Sequence, residues 1–144
     1  MRISLIVSRY NAFVTDGLEA GARRVLREAG LAESDVETVF VPGAFELAQA
    51  AGRVAAGSPV DAIVCLGCLI RGETPHFDYI ARATAGGIMR VALDTGVPVT
   101  FGVLTTHTAE EALARAGEGS ANKGAEAAAA ALDMARAYAR LDRR

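Results

Sequence analysis

The sequence predicts a three-layer α/β/α sandwich built on a four-stranded parallel sheet. Three observations lead there. Four apolar runs of strand length alternate with longer stretches of helical period, the pattern of successive βαβ units. The first run, "ISLIVS", is continuously apolar, as strands are when helices cover both faces of a sheet. The length, 144 residues with 51% hydrophobic, suffices to bury the core of one domain. No internal repeat and no Pro- or Ser-rich linker divides the chain, so residues 1–144 read as a single domain.

The elements follow in order. "ISLIVS" (Ile3 to Ser8) is the first strand. "TDGLEAGARRVLREAG" is a helix with a cap candidate at Thr15 or Asp16. Its apolar stripe is Leu18, Ala22, Val25, Leu26 and Ala29, and its stop is Gly30. "VETVFVP" (Val36 to Pro42) is the second strand, and "AFELAQAAGRVAAG" the second helix, ending at Gly57. "VDAIVCLGC" is the third strand. "HFDYIARATAGGIMRVALDTG" is a long helix weakened at its centre by Gly86 and Gly87. "PVTFGVLT" (Pro98 to Thr105) is the fourth strand. "TAEEALARAG" is a short helix, and the alanine-rich "NKGAEAAAAALDMARAYARL" the last. Right-handed crossovers between such units give a flavodoxin-like arrangement.

Composition narrows the function. A formal charge of −2 and the lack of any Lys/Arg run argue against binding nucleic acid. The apolar stretches fall short of a membrane span. "MRISLIVSRYN" enters a strand directly and lacks the small-residue cleavage site of a signal peptide, so a cytoplasmic location is expected. "CLGC" places Cys65 and Cys68 at the spacing of redox and zinc motifs. A redox pair opens a helix, however, whereas this one closes a strand. Side chains three apart on a strand face opposite ways. No further ligands are spaced for zinc, and His76 and His107 are isolated, so buried, inert thiols are expected and no metal site.

In a parallel sheet of this kind, ligands bind beyond the carboxyl ends of the strands. Four segments lie there: "SRYNAF", "PGAFE", "GCLIRGETPH" and "TTHT". In the third, Thr74 stands at a cap position and Pro75 at the first helical position, with His76 in the first turn. Such a helix start can hold an anion, and an imidazole beside it can move protons near neutral pH. Ordinary capping with a partly buried histidine explains the same residues. Tyr10, beside Asn11, can stack on a flat heterocycle or staple the next helix. Glu46, after Phe45, can bind hydroxyls or stabilise a helix start. Arg115 and Lys123 flank "AGEGSAN" as candidate oxyanion partners or as solvated cations. "GEGSANKG" has Asn122 where a dinucleotide fingerprint needs a third glycine. No phosphate-loop motif occurs either, which disfavours a nucleotide-dependent enzyme.

Together, "SRYN", "VPGAFEL", "GCLIRGETPHFDYI", "VPVTFGVLTT" and "RAGEGSANKGAEAA" resemble, in order and over nearly the whole chain, the successive motifs of lumazine synthases. The resemblance implies condensation of 5-amino-6-(D-ribitylamino)uracil with 3,4-dihydroxy-2-butanone 4-phosphate, without a cofactor. It implies His76 as the proton-transfer residue and Tyr10 stacked on the pyrimidine, where relatives usually carry Phe or Trp. Ala44, Phe45 and Glu46 would hold the ribityl chain and ring. Cys68, Leu69 and Ile70 would offer backbone groups to the pyrimidine. Glu73, Thr74 and Arg115 would hold the phosphate. Lys123 and Phe101 would complete the pocket, Phe101 from a neighbouring subunit. The family builds pentamers and, in some members, sixty-subunit shells, some with a riboflavin synthase partner. Two departures stand out: Ala48 replaces a common proline, and the chain starts about a dozen residues later than many relatives. Two rival readings are an archaeal-type riboflavin synthase and a non-catalytic lumazine- or flavin-binding shell protein. The compact "GETPHFDYI" and "NKG" signatures disfavour the first, and His76 together with Arg115 disfavours the second.

Overall fold

The computed structural model describes residues 1–57 and 59–144. The elements are β1 (Ile3–Ser8), α1 (Ala12–Glu28), β2 (Val36–Val41), α2 (Leu47–Gly57), β3 (Ala62–Ile70), α3 (His76–Thr95), β4 (Val99–Thr106), α4 (Ala109–Ala114) and α5 (Lys123–Leu141). The four strands are parallel, in the order β2-β1-β3-β4. This is the predicted flavodoxin-like α/β arrangement. The chain leaves β1 for β2 on one side and later returns to lay β3 on the other. The strand order therefore reverses between β1 and β3, and a crevice opens at their carboxyl ends.

Alternate side chains of β1 enter two different cores, as the pleat requires. Ile3, Leu5 and Val7 pack with Leu18, Ala22 and Leu26 of α1 and with Ala128, Ala131 and Leu132 of α5. Ile6 points the other way, among Leu47 and Ala51 of α2 and Ile88 of α3. Full burial of one such Leu or Ile contributes about 1.5–3 kcal/mol. The two cysteines obey the same alternation. Cys65 lies in the core under α2 and α3, Cys68 in the core under α1 and α5, and both are free thiols. Burial pushes the Cys65 thiol up to about 12 and the Cys68 thiol up to about 11, so both stay protonated and unreactive near neutral pH.

Small residues set how closely α1 meets α5. A Cβ on Gly124 would clash with the backbone carbonyl of Leu18, and one on Gly21 with the side chain of Asn122. Asn122 staples this contact. Its amide donates to the carbonyls of Gly17 and Gly117, both at 3.0 Å, while its oxygen caps α5 by accepting from the Ala125 N–H at 3.0 Å. On the other face, a Cβ on Gly87 would come within 2.9 Å of the Ala48 Cβ, so Gly87 brings α3 close to α2 instead of breaking the helix.

Several boundaries differ from the sequence reading. Neither Thr15 nor Asp16 caps α1. The helix starts at Ala12, because Asn11 takes a left-handed conformation (φ 63°) and turns the chain directly out of β1. The Thr15 hydroxyl instead donates to the Ser8 carbonyl at 2.8 Å. The second helix is not continuous from Ala44: residues Ala44–Glu46 form a 3-10 turn before α2. The third strand runs on to Ile70, and β4 to Thr106. Thr74 does not cap α3. Pro75 occupies the cap position without a side-chain cap bond, and His76 is the first helical residue. No helix of the described residues is long and apolar enough to cross a membrane.

Candidate active site

A cavity of about 770 Å³ opens where the strand order reverses. Its walls come from the chain just beyond β1, β2 and β3. Tyr10 and Asn11 follow β1, Gly43 to Glu46 follow β2, and Leu69 and Ile70 end β3. Gly72, Thr74 and His76 close the remaining side with Phe77 and Ile80 of α3.

Backbone hydrogen bonds fix these segments to one another. The N–H groups of Arg9 and Tyr10 donate to the carbonyls of Val41 and Pro42 at 2.8 and 2.9 Å, which ties the end of β1 to the end of β2. Asn11 reaches the other way, donating its amide to the Cys68 carbonyl at 2.9 Å. It thus spans the crevice between β1 and β3. The Thr84 hydroxyl of α3 is buried and donates to the Ala44 carbonyl at 3.4 Å, setting the turn that presents Phe45 and Glu46. Tyr10 is 73% exposed and Phe45 51% exposed, so two aromatic faces stand open at the rim. Aromatic faces of this kind stack on flat ligands.

The polar side of the cavity is the start of α3. Its first N–H groups have no partners within the helix, and the helix dipole adds a partial positive charge there. Thr74 and His76 line the same cavity, and both residues are exposed. Such a site can bind an oxyanion and place a proton carrier beside it. Arg71 and Asp78 form an ion pair across the intervening loop at 2.8 Å.

A second cavity, about 630 Å³, lies beside the edge strand β4 and shares no lining residue with the first. Phe101, Arg115 and Lys123 line it, together with Glu111 and Glu126. The two cations differ in state. Lys123 is paired with Glu126 at 3.0 Å, whereas Arg115 donates to the backbone carbonyl of Glu111 at 3.0 Å and forms no ion pair among the described residues. Arg115 is therefore the better prepared of the two to receive an anion.

The sequence-derived residues thus separate into two groups. Tyr10, Ala44, Phe45, Glu46, Leu69, Ile70, Thr74 and His76 meet in the first cavity; Phe101, Arg115 and Lys123 meet in the second. Cys68 and Glu73 line neither. The Cys68 side chain is buried and its carbonyl is already engaged by Asn11, while Glu73 is exposed. Asn11, Glu111 and Glu126 were missed as site residues. Asn11 had a signal, since Asn, here three residues past the end of β1, is among the few residues that accept the left-handed turn. The two glutamates had none, because carboxylates in the first turn of a helix look like ordinary helix-start residues on a solvated face.

A family model described as 6,7-dimethyl-8-ribityllumazine synthase matches residues 1–139. Among solved structures, the chain is similar to a de novo designed Rossmann fold protein. The identity is 18% and the TM-score 0.42, over 79% of this chain and 92% of that one.

Proposed function

Since the chain belongs to the 6,7-dimethyl-8-ribityllumazine synthase family, we propose that it condenses 5-amino-6-(D-ribitylamino)uracil with 3,4-dihydroxy-2-butanone 4-phosphate, giving the lumazine, phosphate and water. The observation that carries this reading is the convergence of Tyr10, Glu46, Thr74 and His76 on one cavity at the strand-order reversal. These are the residues needed to stack a pyrimidine, bind a polyol, receive a phosphate and carry a proton.

The reaction needs little more. The pyrimidine amine attacks the ketone to form an imine with loss of one water, phosphate leaves by elimination, and the ring closes with loss of a second water. Each step moves a proton, and no electrons are exchanged with a third party, so the chemistry requires no cofactor. Tyr10 stacks on the pyrimidine while Glu46 accepts from ribityl hydroxyls. Backbone groups at Leu69 and Ile70 meet the ring edge. Thr74 and the start of α3 hold the phosphate, and His76 carries protons to and from the reacting atoms. Holding two intrinsically reactive molecules in register supplies much of the rate.

Arg115, Lys123 and Phe101 enter the site from a second copy of the chain. Their separate cavity at the open edge of the sheet supports a homo-oligomer, with a pentamer as the family's common unit. The test is direct. Protein mixed with both substrates should generate lumazine absorbance and release phosphate. Purified lumazine alone should not be consumed. Consumption of lumazine to give riboflavin would make the protein a riboflavin synthase instead. Binding without turnover would make it a carrier.

A further inference from the structure

The loop Gly72–Pro75 joins β3 to α3 and carries Thr74 into the cavity. Residues 71–76 are all exposed, so the loop has little packing of its own. The cap of α3 adds no side-chain hydrogen bond to steady it. Arg71, just before the loop, supplies what is missing. Its N–H donates to the Thr106 carbonyl of β4 at 2.8 Å, which anchors the residue to the sheet. Its guanidinium then crosses the loop to Asp78 in the first turn of α3, at 2.8 and 3.5 Å. The same group lies over the Phe77 ring, 4.7 Å from its centroid, and Phe77 lines the cavity.

We propose that Arg71 is a positioning residue: by bridging the two ends of the Gly72–Pro75 loop through Asp78 and the Phe77 ring, it holds Thr74 and His76 in place for the phosphate-bearing substrate. This rests on the functional reading above. As a half-exposed ion pair it adds little to global stability. Its effect is local, because misplacement by about 1 Å can cost roughly a hundredfold in rate. Lysine would keep the charge but lose both the fork and the flat face that sits on the ring.

The variants Arg71→Ala, Arg71→Lys and Asp78→Asn test it on the intact assembled protein. Arg71→Ala should raise KM for the ketone phosphate about three- to tenfold, the scale of one exposed ion pair with a cation–π contact. KM for the pyrimidine should move less than about twofold, because Tyr10 and Glu46 are held by other bonds. Arg71→Lys should recover part of the loss, and Asp78→Asn should shift the same constant in the same direction. Cleavage after Glu73 by a Glu-specific protease, followed by mass, reads the loop without reference to catalysis. It should quicken by about the same factor in Arg71→Ala, since cutting tracks the open population. An unchanged cleavage rate overturns the proposal whether or not the protein is active. In an active protein, an unchanged KM for the phosphate, or equal changes in both constants, also overturns it. A wild-type protein that forms no lumazine would defeat the functional reading, and the cleavage rates would then decide the clamp alone.

Discussion

His76 is the first residue of α3, exposed on a cavity that Tyr10, Phe45, Glu46 and Thr74 also line. A single acid–base group typically contributes 10²–10⁴ in rate, and less where proximity does much of the work. Replacement of His76 by Ala should therefore slow turnover roughly 10- to 10³-fold while leaving the far-UV spectrum and urea midpoint unchanged. Wild-type turnover at saturating substrate would remove His76 from proton transfer. Arg115 makes a separate prediction. Its charge is not balanced by the Glu111 carbonyl it touches. Arg115→Ala should raise KM for the ketone phosphate by roughly ten- to a hundredfold, the scale of a charge-assisted contact, and leave the pyrimidine constant nearly unmoved. Equal changes in both would assign Arg115 to folding. The shared cavity of Thr74 and His76 was legible from their place after the third strand, but the cap position expected of Thr74 belongs to Pro75. Residues were illegible where a role depends on a distant partner: nothing near Asn11 in the sequence announces its bond to the Cys68 carbonyl.

The elements were legible from period and composition, and their ends were not. Apolar runs located all four strands, and the absence of alternation correctly placed helices on both faces. Helix starts depended on backbone geometry that competes with side-chain preference. Thr15 looked like a cap, yet its hydroxyl serves the Ser8 carbonyl while the left-handed Asn11 opens the helix four residues earlier. Asn122 behaved as an N-terminal Asn should, with its side chain on the Ala125 N–H. The glycine two residues later had no local explanation. Its reason is the carbonyl of Leu18 on α1, which leaves no room for a Cβ. Gly124→Ala should consequently destabilise the fold by about 2–3 kcal/mol, seen as a lowered urea midpoint with unchanged slope. The neighbouring change Ala129→Gly, at an exposed helical position, should cost only about 1 kcal/mol. A Gly124→Ala protein as stable as wild type would mean that α1 and α5 can part without penalty.

At the scale of the molecule, the division of the candidate residues between two cavities is what the one-dimensional pattern could not reveal. The order of motifs in the chain says nothing about which of them meet. If the cavities join across a subunit boundary, His76→Ala and Phe101→Ala chains dissociated and reassembled together should regain activity. Some boundaries would then pair an intact His76 with an intact Phe101, and turnover should exceed the mean of the parents. Activity held at that mean, with exchange verified by mass, would place the whole site within one chain.

The same division has a genetic face. If the two cavities do join across boundaries in a closed ring, a chain with both damaged would spoil the boundary on each side of itself. Sound sites would fall as the square of the sound fraction of chains, not in proportion to it. A defective copy made in the same cell would then act as a poison subunit. Its harm to vitamin supply would be dominant, though the damaged chain still folded and assembled normally.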